Sequence, residues 1–117
     1  MLLSFRITLQ YRAPEEYDRD KLNEQIDVFS FGNNIYGLLT GLWVFYDVDD
    51  DETVQKDVIK GNRAFIDPRW KERSFIESKM VEVMEKCWIG DINERIDIFG
   101  AVKELRDIKK EHQRRKT

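Results

Sequence analysis

Ile76, Met80, Val83, Met84, Cys87 and Trp88 stand at i, i+4, i+7, i+8, i+11 and i+12. At 3.6 residues per turn these positions share one face of a helix, so the spacing predicts an amphipathic helix that ends at Gly90. A helix with one apolar face has to bury it against something, and the rest of the chain offers further helices. Asp27 is placed to cap a helix running to about Thr40, closed by Gly41. Its apolar positions, Val28, Phe29, Phe31, Ile35, Tyr36, Leu38 and Leu39, cover most of the circumference, which puts this helix in the middle of the fold. A short helix with an acidic start is expected over 51–60, stopped by Gly61. A last one starts near 93–97, with Ile98, Val102, Leu105 and Ile108 inward and charge outward. Pro14 suits the first turn of a short helix through Glu15, Glu16 and Tyr17. Residues 18–25 and 62–71 read as loops, the second with a turn at Asp67-Pro68. Leu3 to Leu9 alternates only weakly. The expected fold class is mainly α, about five helices.

With 117 residues the chain is large enough for one small domain and one core. Charged residues make up 37%, which suits a helical, well-solvated surface, but 20 basic against 23 acidic residues leave a net charge of only −3. That balance argues against nucleic acid as the main partner. Asp47, Asp49, Asp50, Asp51 and Glu52 form an acidic run, and residues 111–117 form a basic tail beyond a domain over 1–110; both read as solvated charge. Cys87 is the single cysteine, so no intramolecular disulfide forms and a reducing compartment is expected. The longest apolar run, Ile35 to Tyr46, is too short to span a bilayer, and the N-terminus lacks the pattern of a signal peptide. An intracellular, cytoplasmic protein is the expectation, with no membrane partner.

Two motifs narrow this reading. Tyr11-Arg12-Ala13-Pro14-Glu15-Glu16-Tyr17 is followed by Asp27-Val28-Phe29-Ser30-Phe31-Gly32. Together with Thr40 to Phe45, Cys87-Trp88 and Arg95, they resemble the C-terminal lobe of a eukaryotic-type protein kinase from the end of the activation segment onward, over roughly residues 7–108. The resemblance implies the helical C-lobe of the protein-kinase-like fold with the N-lobe absent. It places Ala13-Pro14-Glu15 at the close of the activation segment, and Thr8, Tyr11 and Arg12 in the substrate-side loop. Asp27 opens the central helix, Gly32 lies on it, and Trp88 and Arg95 lie in and after the penultimate helix. In the family the glutamate at position 15 and the arginine at 95, some 80 residues apart here, form a buried bidentate ion pair. Glu15→Ala and Arg95→Ala are then expected to destabilise non-additively. The family also implies that the aspartate at 27 accepts hydrogen bonds from a catalytic loop. In this chain alone, Asp27 is expected simply to cap its helix.

Phosphoryl transfer by a kinase requires a glycine-rich phosphate loop, a strand lysine paired with a helix glutamate, a catalytic-loop aspartate and two metal-binding side chains. The sequence contains no Gly-x-Gly-x-x-Gly, no Gly-x-x-x-x-Gly-Lys, no His-Arg-Asp and no Asp-Phe-Gly. Catalytic, cofactor-binding and metal-binding residues are therefore expected to be none in this chain. ATP and Mg are implied only for a longer parent domain that supplies the N-lobe and catalytic loop. Asp49, Asp50 and Asp51 read as a solvated loop, His112 as a surface residue and Cys87 as a buried structural thiol.

Several positions depart from the family pattern. Ile7, Val44 and Ile96 replace a usual glycine and two usual prolines, and Asn33-Asn34 occupies usually apolar positions, the second lining the stack beneath the adenine pocket. Such changes are compatible with a pseudokinase parent. Two functions follow from the resemblance. The first is part of a serine/threonine or tyrosine-kinase-like protein kinase that carries substrate-side and scaffold residues but is inactive alone. The alternative is a non-catalytic, kinase-derived module that binds a protein substrate or regulator through 51–62 and the helix after it. Exposed apolar surface is expected around Phe29, Phe31 and Ile35, where a catalytic loop would pack.

Overall fold

A computed structural model describes residues 13–14, 25–42, 44–45 and 50–116, with Asp51 described by its backbone. Among these residues there are five α-helices and no strand: α1 (Gln25–Thr40), α2 (Asp51–Lys60), α3 (Trp70–Arg73), α4 (Phe75–Cys87) and α5 (Ile98–Lys116). Pro14 lies in a 3₁₀ turn. The helix expected through residues 15–17 and the weak alternation at 3–9 lie outside the described residues.

The periodic stripe forms α4, the hub that touches α1, α3 and α5. Ser74 starts it as a capping box: its Oγ accepts the Glu77 N–H at 3.1 Å and donates to the Glu77 carboxylate at 3.1 Å. Val83, Met84, Cys87 and Trp88 are buried as the spacing requires, and Val81 joins them. Ile76 and Met80 sit half-buried at the edge of the stripe. The helix stops at Cys87, and the Trp88 N–H closes the last turn on the Met84 and Glu85 carbonyls.

Helix α1 begins at Gln25, three residues before the start that a cap at Asp27 implies. Asp27 therefore stands exposed in the first turn rather than at the cap. Gly41, at φ 75°, ends the helix by donating its N–H to the Gly37 carbonyl at 2.9 Å. The buried arc consists of Val28, Phe29, Gly32, Asn33, Ile35 and Tyr36, while Leu38 is 82% exposed. The apolar circumference thus overstated the burial of this helix. It also misplaced the bare surface, since Phe29 and Ile35 are 2% and 0% exposed and Phe31 is half-buried. Of the two asparagines it is Asn33, the first, that enters the core, and Asn34 is exposed. Asn33 is in phase with Phe29 and Tyr36, at i+4 and i+7 of one stripe.

Helix α2 has the expected bounds. Asp50 caps it, accepting the Glu52 N–H at 3.0 Å and the Thr53 hydroxyl at 2.9 Å, and these bonds hold its carboxyl below the ordinary range. Gly61, at φ 100°, closes it. Val54 and Val58 join the core. The loop expected over 62–71 is shorter than predicted. The Asp67 carboxylate accepts the Arg69 N–H, its carbonyl accepts the Trp70 N–H, and the turn winds directly into α3.

Helix α5 is capped by Asp97, whose carboxylate accepts the Gly100 N–H at 2.7 Å. Leu105 and Ile108 face inward as expected, but Ile98 and Val102 face outward and Ala101 is buried instead. Lys86 of α4 bridges to Glu104 of α5. Residues 111–116 are the last turns of α5 rather than a separate tail. Glu111 accepts from Arg114 and Arg115, and the Arg115 guanidinium lies 4.0 Å from the Phe75 ring centre. Among the described residues no helix is long and apolar enough to cross a membrane.

Candidate functional site

Three of the motif residues, Gly32, Trp88 and Arg95, come together at the seam between α1 and α4. Gly32 makes that seam possible: a Cβ there would lie 2.9 Å from both the Cys87 Cβ and the Trp88 Cδ1. Contacts that short do not occur without moving one helix, so the absence of a side chain sets how close the helices come. Beside it the Trp88 indole N–H donates to Asn33 Oδ1 at 2.8 Å, wholly buried. Indole nitrogen can only donate, which fixes the Asn33 oxygen toward it and turns Nδ2 the other way. Asn33 Nδ2 finds no hydrogen-bond partner among the described residues. The Tyr36 ring packs 5.9 Å from Trp88, and its hydroxyl donates to the Phe65 carbonyl at 3.2 Å.

Arg95 ties this seam to its surroundings. It is 3% exposed, and its guanidinium donates to the Ile89, Gly90 and Gln25 carbonyls at 2.7, 3.3 and 2.9 Å. A planar guanidinium holds its donors in a fixed fork, so it can serve carbonyls from two directions at once without reorienting. The same guanidinium sits 5.0 Å from the Phe29 ring centre, and Arg63 sits 4.9 Å from it. Arg63 donates in turn to the Trp88, Val58 and Asn62 carbonyls. Phe29 is therefore held by two cations that also bond the ends of α2 and α4. Nothing in the sequence around Arg63 pointed to this role, because its bond to the Trp88 carbonyl and its place over Phe29 join parts of the chain far apart in sequence.

Of the residues singled out from the sequence, Gly32, Trp88 and Arg95 come together here. Ala13 is fully buried in the same core, and Pro14 is half-buried beside it. Asp27 is exposed. Thr8, Tyr11, Arg12 and Glu15 lie outside the described residues, and with them the ion pair between Glu15 and Arg95. Cys87 lies on the seam, fully buried. Loss of solvation pushes its thiol up to about 11, with Glu104 adding to the rise, so it is a poor nucleophile at neutral pH.

A groove of about 530 Å³ opens beside the seam, between the end of α1 and the segment after α2. Tyr36, Leu42 and Trp70 supply apolar surface, and Asp57 and Asp67 supply charge. The Asp67 carboxyl is held down to about 2 by hydrogen bonds from Arg69. Among the described residues no three of His, Cys, Asp and Glu are gathered where they could hold a metal ion.

The sequence matches the family described as protein kinase domain over residues 2–105. It is 30% identical over 100 residues to the serine/threonine-protein kinase VIK of Arabidopsis thaliana, covering 86% of this chain and 22% of that protein. It is 31% identical over 86 residues to receptor-interacting serine/threonine-protein kinase 4 of Homo sapiens, covering 72% of this chain and 10% of that protein. The chain therefore spans less than a quarter of the length of either relative. Among solved structures, the twitchin kinase region from C. elegans superposes with a TM-score of 0.69 at 24% identity, over 83% of this chain and 17% of that one. This likeness is one of fold.

Proposed function

The chain belongs to the protein kinase domain family, and from that membership we propose that it is the helical C-lobe portion of a domain whose parent transfers the ATP γ-phosphate to serine, threonine or tyrosine hydroxyls. Its own part is scaffold and substrate-side surface. ATP and magnesium act, on this reading, on residues of the N-lobe and catalytic loop of the parent, and no step of the transfer runs through the residues described here. One observation carries the proposal. Gly32, Trp88 and Arg95, at positions the family marks, are buried and engaged with helices and backbone carbonyls, where they position the fold and are closed to substrate. The names of the relatives favour serine or threonine as the acceptor. An intracellular setting belongs to the same proposal, supported by the single, reduced and buried Cys87.

The test is phosphate transfer from γ-labelled ATP with magnesium to generic serine, threonine and tyrosine substrates. The purified 117-residue chain is expected to transfer nothing, and a product extended upstream through the catalytic motifs is expected to transfer phosphate. Turnover by the chain itself, abolished by a substitution within it, would overturn this. A second reading, a non-catalytic module that binds a protein regulator, is favoured by one finding: Phe29 and Ile35, expected to lie bare, are buried. A monomeric, cooperatively folding chain with a native transcript starting at Met1 would support the module. Precipitation on isolation would count against it.

A further inference from the structure

Helix α5 turns two different surfaces outward along one face. Its first turns expose Phe99 at 82%, Ile98 at 50% and Val102 at 38%. The next turns carry Lys103, Arg106 and Lys110, with Asp107 as the single carboxylate. Lys103 is neutralised by Asp107 at 3.1 Å, while Arg106 and Lys110 have no ion-pair partner among the described residues. The chain as a whole is net negative, so this positive strip is a local feature. Phe99, Arg106 and Lys110 fall within about 40° of one another around the axis, at about 100° per residue. A groove of about 570 Å³ runs along this face and is lined by both the apolar and the basic residues.

We propose that this face of α5 docks an acidic amphipathic peptide segment of a protein partner. Its apolar side chains would sit on Ile98, Phe99 and Val102, and its carboxylates about 12 Å further along would meet Arg106 and Lys110, at the roughly 1.5 Å rise of a helix. The charge selects the occupant. A second copy bound through the same face would set Arg106 and Lys110 against themselves, which like-charge repulsion opposes. A flat anionic bilayer would approach the whole net-negative molecule, whereas a peptide meets it only along the groove, where the one carboxylate, Asp107, is paired with Lys103 and Arg106 and Lys110 remain as net positive charge. The proposal does not depend on phosphoryl transfer and stands or falls separately from it.

The experiment is selection of a displayed library of random peptides, each about 16 residues long and so able to span the face at the helical rise, on the full chain, with counter-selection on Phe99→Asp and on Arg106→Glu/Lys110→Glu. All three residues are exposed, so both variants are expected to keep the far-UV circular dichroism and melting temperature of the parent. The expected result is a consensus of aromatic or leucine anchors followed by Asp or Glu. The selected peptides should bind each variant at least about tenfold more weakly and lose affinity with added salt. No enrichment, a basic consensus, or binding indifferent to both variants would overturn the proposal. So would co-sedimentation with phosphatidylserine vesicles, or a dimer in the ultracentrifuge, where either is abolished by Phe99→Asp and no acidic peptide is enriched.

Discussion

Asn33 is a polar side chain in an apolar seam, and its environment explains why it stays there. Its oxygen satisfies the Trp88 indole, a donor that would otherwise be buried without an acceptor. Trp88→Phe removes the donor, leaves Oδ1 stranded beside the already unpartnered Nδ2, and is expected to destabilise by about 1–3 kcal/mol in urea unfolding followed by circular dichroism. In an Asn33→Ala background the same change should cost less, and strict additivity would mean the bond contributes nothing. Cys87 carries a second expectation. Its thiol is neutral in the fold and its pKa is raised from 9.0 to about 11. A raised folded pKa means that the stabilisation is fully present below the unfolded value and is lost as pH climbs from about 9 through 11. Native protein should resist thiol reagents at about pH 8 and react fully in denaturant, and rapid labelling of the native chain would refute the burial.

Helix α4 has both a clear periodic stripe and an end-point signal that the stripe does not contain. Ser74-Phe75-Ile76-Glu77 is a capping box, and its Ser-x-x-Glu spacing is visible in the sequence. Ser74→Ala is expected to cost about 1 kcal/mol. Because α4 contacts three other helices, that loss should appear in the global transition rather than as local fraying. A melt with only one end of α4 losing amide protection would contradict its place as hub. Helix α5 shows the opposite case. Leu105 and Ile108 face inward as the periodicity requires, but at the start of the helix the small Ala101 is buried while Ile98, Phe99 and Val102 stay in water.

Across the whole molecule, Arg95 joins parts of the chain that the helices alone would leave separate. It binds the first residue of α1 and the segment after α4, and it covers Phe29. Arg95→Lys keeps the charge but cannot reach three carbonyls with a planar fork, so a loss of about 2–4 kcal/mol is expected. Unfolding by circular dichroism and by tryptophan fluorescence should still coincide, since one core connects α1, α2, α4 and α5. Separate transitions would show that the helices do not form one unit. An Arg95→Lys variant as stable as the parent would show that the carbonyl bonds are replaced by water without cost.

The amino-acid sequence by itself determined the helical class, the existence of α1, α2, α4 and α5, the bounds of α2, and the family, because these rest on local periodicity, glycine stops and motif order. It also singled out Gly32, Trp88 and Arg95, though not what each one touches. Only the tertiary structure decided that Asn33 rather than Asn34 enters the core, that Arg63 shares Phe29 with Arg95, and that α5 turns Ile98 and Val102 outward. The physical reason is common to all three. Which side of a helix is buried, and which carbonyl an arginine finds, depends on where a second helix lies, and the distance of closest approach between α1 and α4 is set by Gly32 acting across the fold.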